Sequence, residues 1–318
     1  MVSVSIIGKS GQAARLVSII KKIRGVKLQY IYYYKDDNFK KPITNNFQDL
    51  LNSDAIIIAS PTSTHAEYLI KLKKYKGYVL VEKPLVSNEK ELKRIVGLSS
   101  KKIKVNYNFQ NSKLAISIKK LIDSGKIGKP VSLQINTCHG LAFKKEYLNS
   151  WRSNINKSFG VLELVGTHFI DFAISLFGDV VAYNFFPQWL ALCEKRFPPD
   201  TVSLKMKMKK GVIVDLRHSY AGPFLNKILL IGTDGYLDYD GEYVKIYYPR
   251  DVFDKNNRFV SSKARIKKIK FVDNWNKSLK TALKIFFNTV NNRGKFLKSD
   301  MATAVKAVKL VDRIKINK

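Results

Sequence analysis

Two stretches of the chain carry residue types that packing alone does not ask for. Tyr78-Val79-Leu80-Val81 has the aromatic and β-branched composition of a buried strand, and it gives way at once to Glu82-Lys83-Pro84. A cation fixed at the end of a strand can steady negative charge that develops on a ligand oxygen. The second stretch follows the apolar run Val2 to Ile7 and reads Gly8-Lys9-Ser10-Gly11-Gln12-Ala13-Ala14. In a G-x-G-x-x-G turn the second glycine lets the backbone approach a pyrophosphate. The third allows close helix packing, and the helix N-terminus turns its amides toward the phosphates. Here Ser10 and Ala13 hold the second and third positions, and Gly11 is displaced by one. Ala13 is an allowed variant, whereas Ser10 adds a Cβ where none is usual. Taken by itself, the loop reads equally as a nucleotide cradle and as a tight turn.

The elements around these stretches decide where they stand. A strand from Val2 to Ile7 turns into a helix that ends near Ile23, and a second strand runs from Val26 to about Tyr34. A short helix at 47–51, a strand Ala55 to Ala59, a turn at Pro61 and a helix from about His65 to Lys74 lead to the strand that ends in Glu82. Strands alternating with helices at this spacing predict right-handed βαβ units and a doubly wound parallel sheet of Rossmann type. Its ligand crevice lies beyond the carboxyl ends of the strands, so Lys83 is expected at the rim of a binding site. A second domain is expected to begin where an apolar helix ends in a glycine turn, near Leu121 to Gly128, which divides the chain into 1–120 and 121–318; the resemblance given below implies dinucleotide binding for the first and substrate binding and oligomerisation for the second, an α/β domain. Strands at Val131 to Thr137, Val202 to Met208, Val212 to His218, Lys227 to Ile231 and Tyr243 to Tyr248 have the period of two that suits an open, mostly antiparallel sheet covered on one face. Phe185-Phe186-Pro187-Gln188-Trp189 reads as local packing or a subunit contact sooner than as a sugar platform. Residues 300–316 read as an amphipathic helix.

Composition excludes several classes. With 318 residues, 45% of them hydrophobic, the chain can fill two cores. Its longest apolar runs fall far short of the roughly 20 residues needed to cross a bilayer. The first residues lack a basic leader, which predicts a soluble, cytoplasmic protein with no membrane span. The net charge of +32, from 57 basic and 25 acidic residues, is spread along the chain among Ile, Asn and Tyr, without a nucleic-acid-binding motif. It reads as solvated lysine faces and no specific nucleic-acid site, although long-range attraction favours an anionic small substrate. Cys138 and Cys193 support neither a disulfide framework nor a metal site.

Asp54-Ala55-Ile56-Ile57-Ile58-Ala59-Ser60-Pro61-Thr62-Ser63-Thr64-His65, followed by Val81-Glu82-Lys83-Pro84, closely resembles the Gfo/Idh/MocA (glucose-fructose oxidoreductase / inositol dehydrogenase) family. Tyr107-Asn108, 121–128, Trp151-Arg152, Gly166-Thr167-His168-Phe169-Ile170-Asp171, 232–235 and 299–302 follow in the family's order, so the resemblance covers essentially the whole chain. It implies a nicotinamide-dependent dehydrogenase or reductase acting on a sugar, cyclitol or nucleotide-linked sugar, with NAD or NADP as cofactor and a homo-oligomeric assembly, a dimer or tetramer. It implies catalytic roles for Lys83 and His168. In such enzymes the lysine reaches both the nicotinamide ribose region and the substrate hydroxyl, while the histidine takes or gives the proton as hydride moves. That chemistry is reasonable, because oxidising a carbinol needs a base near neutral pKa and a fixed cation beside the developing alkoxide. The resemblance also carries cofactor contacts onto Gly8, Ser10, Gly11, Gln12, Ala13, Tyr33, Lys35, Ser60, Pro61, Thr62, His65, Glu82, Lys83 and Asn108, and substrate contacts onto Lys83, Arg152, Thr167 and His168. No metal is implied.

The departures are as informative. Relatives that use an aspartate carry it four residues before the histidine, where this chain has Leu164, and on an α-helix Glu163 would be turned about 140° from His168. The proton-transfer pair is therefore expected to be incomplete, and Leu162 and Leu164 read as core. Tyr33 stands where NAD-preferring relatives place the acid that binds the adenosine ribose; Lys35 is close by and Asp36-Asp37 slightly further, which leaves the cofactor open and tilts it toward tolerance of a 2′-phosphate. Arg152 reads equally as a ligand for an anionic substrate group and as a surface salt bridge. Ser10, Tyr33 and Leu164 also suit a degenerate paralogue that binds nucleotide or sugar without turnover, as a sensor or partner subunit.

Overall fold

Every apolar run expected as a strand in the first hundred residues is one: β1 (Val2–Ile7), β2 (Val26–Tyr32), β4 (Ala55–Ile58) and β5 (Tyr78–Glu82), joined by the short β3 (Ile43–Thr44) and by β6 (Ile103–Asn106). In the computed structural model, which describes residues 1–34, 42–98, 101–191, 193–194, 196–250 and 252–316, these six form one sheet in the order β3-β2-β1-β4-β5-β6. All neighbours are parallel. β4 is buried at all four positions, as a run of Ala55-Ile56-Ile57-Ile58 requires of a strand covered on both faces. The strand order reverses between β1 and β4, which makes their carboxyl ends the switch point where such sheets bind ligands.

Side-chain alternation divides the apolar residues of this sheet between two cores. On one face Ile56, Ile58, Val79 and Val81 pack with Ala66 and Leu69 of α2 (His65–Lys71) and with Leu92 of α3 (Glu89–Arg94). On the other, Ala55, Ile57 and Leu80 pack with Leu16 and Ile20 of α1 (Gly11–Ile20). These helices are only six to ten residues long and leave both faces partly open. The C-terminal helices close them. Ala304 and Val308 of α8 (Lys298–Ile316) join the first core, and Leu279, Leu283, Phe286 and Val290 of α7 (Phe271–Asn291) join the second. Polar ties support the docking: Tyr78 Oη donates to Gly294 O at 2.8 Å, and Lys104 pairs with Asp300 at 2.7 Å. The compact units are accordingly Met1–Asn108 with Leu279–Asn317, and Phe109–Ser278. This differs from a single cut after residue 120, for the physical reason that a parallel sheet must be covered on both sides and the later residues supply the cover.

The second unit holds α4 (Lys113–Asp123), β7 (Pro130–Cys138), α5 (Lys145–Leu148), α6 (Thr167–Phe177) and the strands β8 (Val180–Gln188), β9 (Thr201–Met208), β10 (Ile213–Ser219), β11 (Leu225–Gly232), β12 (Tyr236–Tyr239), β13 (Tyr243–Tyr247) and β14 (Arg265–Lys268). They form one sheet in the order β14-β13-β12-β11-β7-β10-β9-β8, antiparallel except for the β7–β10 pair. Period-two burial is clear: Leu204, Met206, Val214, Leu216, Leu133, Ile135, Ile228 and Leu230 are buried, while Lys205, Lys207, Arg217 and Lys227 between them are exposed. The segment Phe185 to Gln188, expected as local packing or a subunit contact, is the end of the edge strand β8, where Pro187 costs no ladder bond that the sheet needs. Among the described residues no helix is long and apolar enough to cross a membrane.

Candidate active site

At the switch point Gly8 ends β1 with φ +118°, and a Cβ there would lie 2.8 Å from Ala59 O. Only glycine allows this approach of the first loop to the end of β4. The next loop residues start α1: Ser10 is its N-cap residue, its side chain makes no capping bond, and the first turn holds no acidic residue. The Ser10 hydroxyl instead donates to Ala59 O at 3.3 Å. Its Cβ therefore leans toward β4, and no side-chain oxygen competes for the first-turn amides. Uncapped amides at the positive end of a ten-residue helix suit a pyrophosphate, so these residues fit the dinucleotide implied by the sequence.

A buried polar network stands behind the loop. Glu82 Oε1, at the end of β5, accepts from Gln12 Nε2 at 2.9 Å and from Asn106 Nδ2 at 2.8 Å. Burial pushes the Glu82 carboxyl up, against the pull of those two bonds and of the Lys83 charge. Asn106 is 2% exposed, and its Oδ1 has no hydrogen-bond partner among the described residues, an acceptor available to an amide donor of a bound ligand. Lys83, half-buried, follows β5 directly. His65 is buried, with Nδ1 3.0 Å from Pro84 O and Nε2 3.0 Å from Ser60 O. Its ring thus lies between two backbone carbonyls, the neutral form donating to one of them, and links the 60–64 loop to the chain that follows Lys83. Burial pushes its pKa down, against those bonds. Ser60 Oγ accepts from Thr64 Oγ1 at 2.7 Å, Pro61 and Thr62 open the 3₁₀ turn Thr62–Thr64, and Asn108, buried, opens the turn Asn108–Asn111.

At the end of β2, Tyr33 N donates to Thr44 O at 3.0 Å, and Lys9 Nζ lies 5.7 Å from the centre of the Tyr33 ring. Lys35, Asp36 and Asp37 lie outside the described residues.

In the second unit His168 sits on α6, 4% exposed, with its ring 4.9 Å from that of Trp275 in an edge contact. The turn before it is not α-helical: Leu162–Gly166 is a π-helix, and Thr167 N donates to Leu162 O, five residues back. The skipped carbonyl of Glu163 accepts from Thr167 Oγ1 at 2.8 Å, so the Thr167 hydroxyl proton is spent within the helix. The 140° separation of Glu163 from His168 assumed an α-helix and does not hold on this turn. Leu162 is buried core, whereas Leu164 is half-buried. Gly166 lets the turn approach β10, since a Cβ there would lie 3.3 Å from His218 Cδ2. Asp171, fully buried, accepts from Gln110 Nε2.

His218 itself is buried, with Nδ1 2.7 Å from Thr137 Oγ1 and its ring stacked 5.2 Å from that of Phe169. Burial pushes it down to about 3. An imidazole in the unfolded chain protonates near 6.5, so between that value and about 3 the unfolded state holds the extra proton. Stability is therefore lost as pH falls through this window, with a slope of up to about 1.4 kcal/mol per pH unit from this residue. Urea denaturation at pH 7, 6 and 5 should show a smaller loss for His218→Gln than for the parent chain; equal losses would contradict a buried neutral ring.

Arg152 is exposed and stacks over Trp151 at 4.7 Å from the ring centre, with no carboxylate at ion-pair distance among the described residues. Its charge opposes the push of burial and of Asp200 that raises the Tyr147 hydroxyl to about 12. Tyr147 is 2% exposed and its hydroxyl has no hydrogen-bond partner among the described residues. Among those residues no group of three His, Cys, Asp or Glu side chains could hold a metal ion.

The sequence profile of an oxidoreductase family's NAD-binding Rossmann fold matches residues 7–109, and that of its C-terminal alpha/beta domain matches residues 119–315. Glucose-6-phosphate 3-dehydrogenase of Bacillus subtilis (strain 168) is 25% identical over 249 residues, covering 72% of this chain and 66% of the relative. Myo-inositol 2-dehydrogenase of Thermotoga maritima is 28% identical over 193 residues, covering 58% and 55%. An oxidoreductase of B. subtilis, YteT, is 30% identical over 125 residues, covering 37% and 28%; the chain thus spans less than two thirds of the length of these relatives. The structure of levoglucosan dehydrogenase in complex with NADH and levoglucosan aligns with a TM-score of 0.79 at 16% identity, covering 99% of this chain and 97% of that one, a likeness of fold. With both domain profiles matched in chain order and together spanning most of the sequence, the chain belongs to the Gfo/Idh/MocA family of oxidoreductases.

Proposed function

We propose that the protein is an NAD(P)-dependent dehydrogenase or reductase that moves hydride between a nicotinamide and a CH–OH carbon of a sugar, cyclitol or nucleotide-linked sugar. The observation that carries this reading is the cradle at Gly8 to Ala13, where a required glycine and an uncapped helix start meet at the switch point of a parallel sheet. When bound, the cofactor supplies or accepts the hydride. The chain's own residues do the rest. Amides of Gly11 to Ala13 hold the pyrophosphate, Gln12, Glu82 and Asn106 fix the loop against the end of β5, and His65 holds Ser60 to Thr62 in place. Lys83 steadies the substrate oxygen and His168 moves its proton. Arg152, with its stacked and exposed guanidinium, binds an anionic group of the substrate. A binding protein without turnover would have no chemical use for both Lys83 and His168.

The Lys9 ammonium over Tyr33 favours a 2′-phosphate at the end of β2, so NADPH is expected to bind at least as well as NADH. The exposed face of the eight-stranded sheet suits a homo-oligomer, and two cysteines that form no disulfide suit the cytoplasm. Fluorescence titration with NADH and NADPH tests the core of the reading: saturable binding is expected, and none at millimolar cofactor would overturn it. A hundredfold preference for NADH would overturn the cofactor assignment alone. Oxidation assays across inositols, sugar phosphates and uronates then rank substrates, with anionic sugars expected to give the higher kcat/KM.

A further inference from the structure

The π-turn before His168 changes what the neighbouring carboxylate can do. On this turn the backbone bond closes over five residues, Thr167 N to Leu162 O, in place of four. A side chain five residues back therefore stands where a side chain four residues back stands on an α-helix, on the same face. Five residues before His168 is Glu163, which is 5% exposed, while the position four back is the half-buried Leu164. A carboxylate is rarely buried to that extent without a charged or hydrogen-bonding task. Two further bonds fix this one: Glu163 Oε2 accepts from Phe159 N at 2.6 Å, and Thr167 Oγ1 holds the carbonyl that the π-turn leaves over.

We propose that Glu163 is the positioning residue of His168: the one-residue bulge brings its carboxylate onto the face of the imidazole, where it orients the ring and supports its protonated form. The proposal rests on the reading of His168 as the proton-transfer group, and it makes that pair complete by a shift of register where the sequence alone suggested a gap. Among the described residues the other ionisable groups on or against this helix include Asp171, one turn beyond His168 and held by Gln110, His218 of β10, which stacks on Phe169, and Lys210, which donates to Leu176 O near the far end. All three remain in place in the variants used below, so a change in His168 on altering residue 163 is assigned to that carboxylate.

The chain has four histidines, at 65, 139, 168 and 218, few enough to follow singly by proton–nitrogen correlation spectra during a pH titration, with His168→Gln identifying the signal. In the parent protein His168 should titrate at or above the ordinary value despite its burial; titration far below it, in the manner of a buried ring with no carboxylate, would overturn the proposal. Glu163→Gln keeps an oxygen for the Phe159 amide and so keeps the fold, and it should weaken proton binding by His168 about tenfold or more. Glu163→Asp should recover part of that loss. An unchanged His168 titration in a folded Glu163→Gln protein would overturn the proposal. The readout needs neither cofactor nor substrate, so it stands or falls separately from the assignment of the reaction. Where a substrate is in hand, the acid limb of kcat/KM should move to lower pH in Glu163→Gln, with KM for the cofactor unchanged.

Discussion

Replacing Lys83 by alanine is expected to lower turnover by about two or more powers of ten, the size seen when one fixed electrostatic group is withdrawn from a reacting oxygen. The fold should survive, because Lys83 lies just past β5 and is half-buried, whereas the five strand residues before it are all buried. Dinucleotide binding should survive too, since the pyrophosphate is proposed to rest on Gly8 to Ala13. His168→Ala is expected to cause a similar loss at neutral pH through removal of the proton acceptor. The two losses should not add. Groups that serve one transition state fail together, so the double variant should be little worse than the poorer single one. Pre-steady-state hydride transfer, followed at the NADH absorbance, separates this from slow product release. A Lys83→Ala protein with undiminished turnover on its best substrate would remove the lysine from the mechanism, and strictly multiplicative losses would show that the two residues act in separate steps.

Phe286→Ala should destabilise the protein by about 3–5 kcal/mol, read from urea denaturation. The side chain is fully buried on α7, stacked 5.6 Å from Phe296 and in an edge contact 5.3 Å from Phe287 between ring centres, in the core shared with β1, β4 and β5. Truncating it leaves a cavity bounded by strands that cannot move inward without breaking their ladders. Lys284→Ala, two residues away on the exposed side of the same helix, should change stability by less than about 0.5 kcal/mol and serves as the control. The same packing predicts that a fragment of residues 1–120, although it contains all six strands of the parallel sheet, shows no cooperative unfolding transition. A 1–120 fragment with a sharp transition would show that α7 and α8 ornament this core and do not complete it.

How much of this is legible in the sequence differs by feature. Ala55 to Ile58 can be read as a strand buried on both faces, and Val202 to Met208 as one buried on a single face, because the period of the pattern is local. Residues 271–291 have a helical apolar pattern too, but a pattern shows that a helix has an apolar face without saying which sheet the face covers; that depends on contacts some two hundred positions away. The ring of His65 illustrates a different limit. Its place in a motif suggested a ligand contact, but that its ring nitrogens lie 3.0 Å from Pro84 O and Ser60 O depends on loops that only the folded chain brings together. The π-turn is the subtlest case. One extra residue in a helix leaves no mark on hydrophobic periodicity over so short a span, and its trace in the sequence is a carboxylate displaced by a single position, which reads as a defect until the backbone bonds are seen.

The first unit is made from both ends of the chain, with Phe109–Ser278 lying between them in sequence. A ribosome delivers these pieces in order. Residues 109–278 can close their own sheet as soon as they emerge, because all eight of its strands fall within that span. The parallel sheet, although made first, waits with its two apolar faces incompletely covered until α7 and α8 leave the exit tunnel. Joining 1–108 to 279–316 carries the loop-closure cost of contacts more than 200 residues apart, such as Tyr78 to Gly294, and the exposed interval before that joining is when this half of the protein is most open to aggregation.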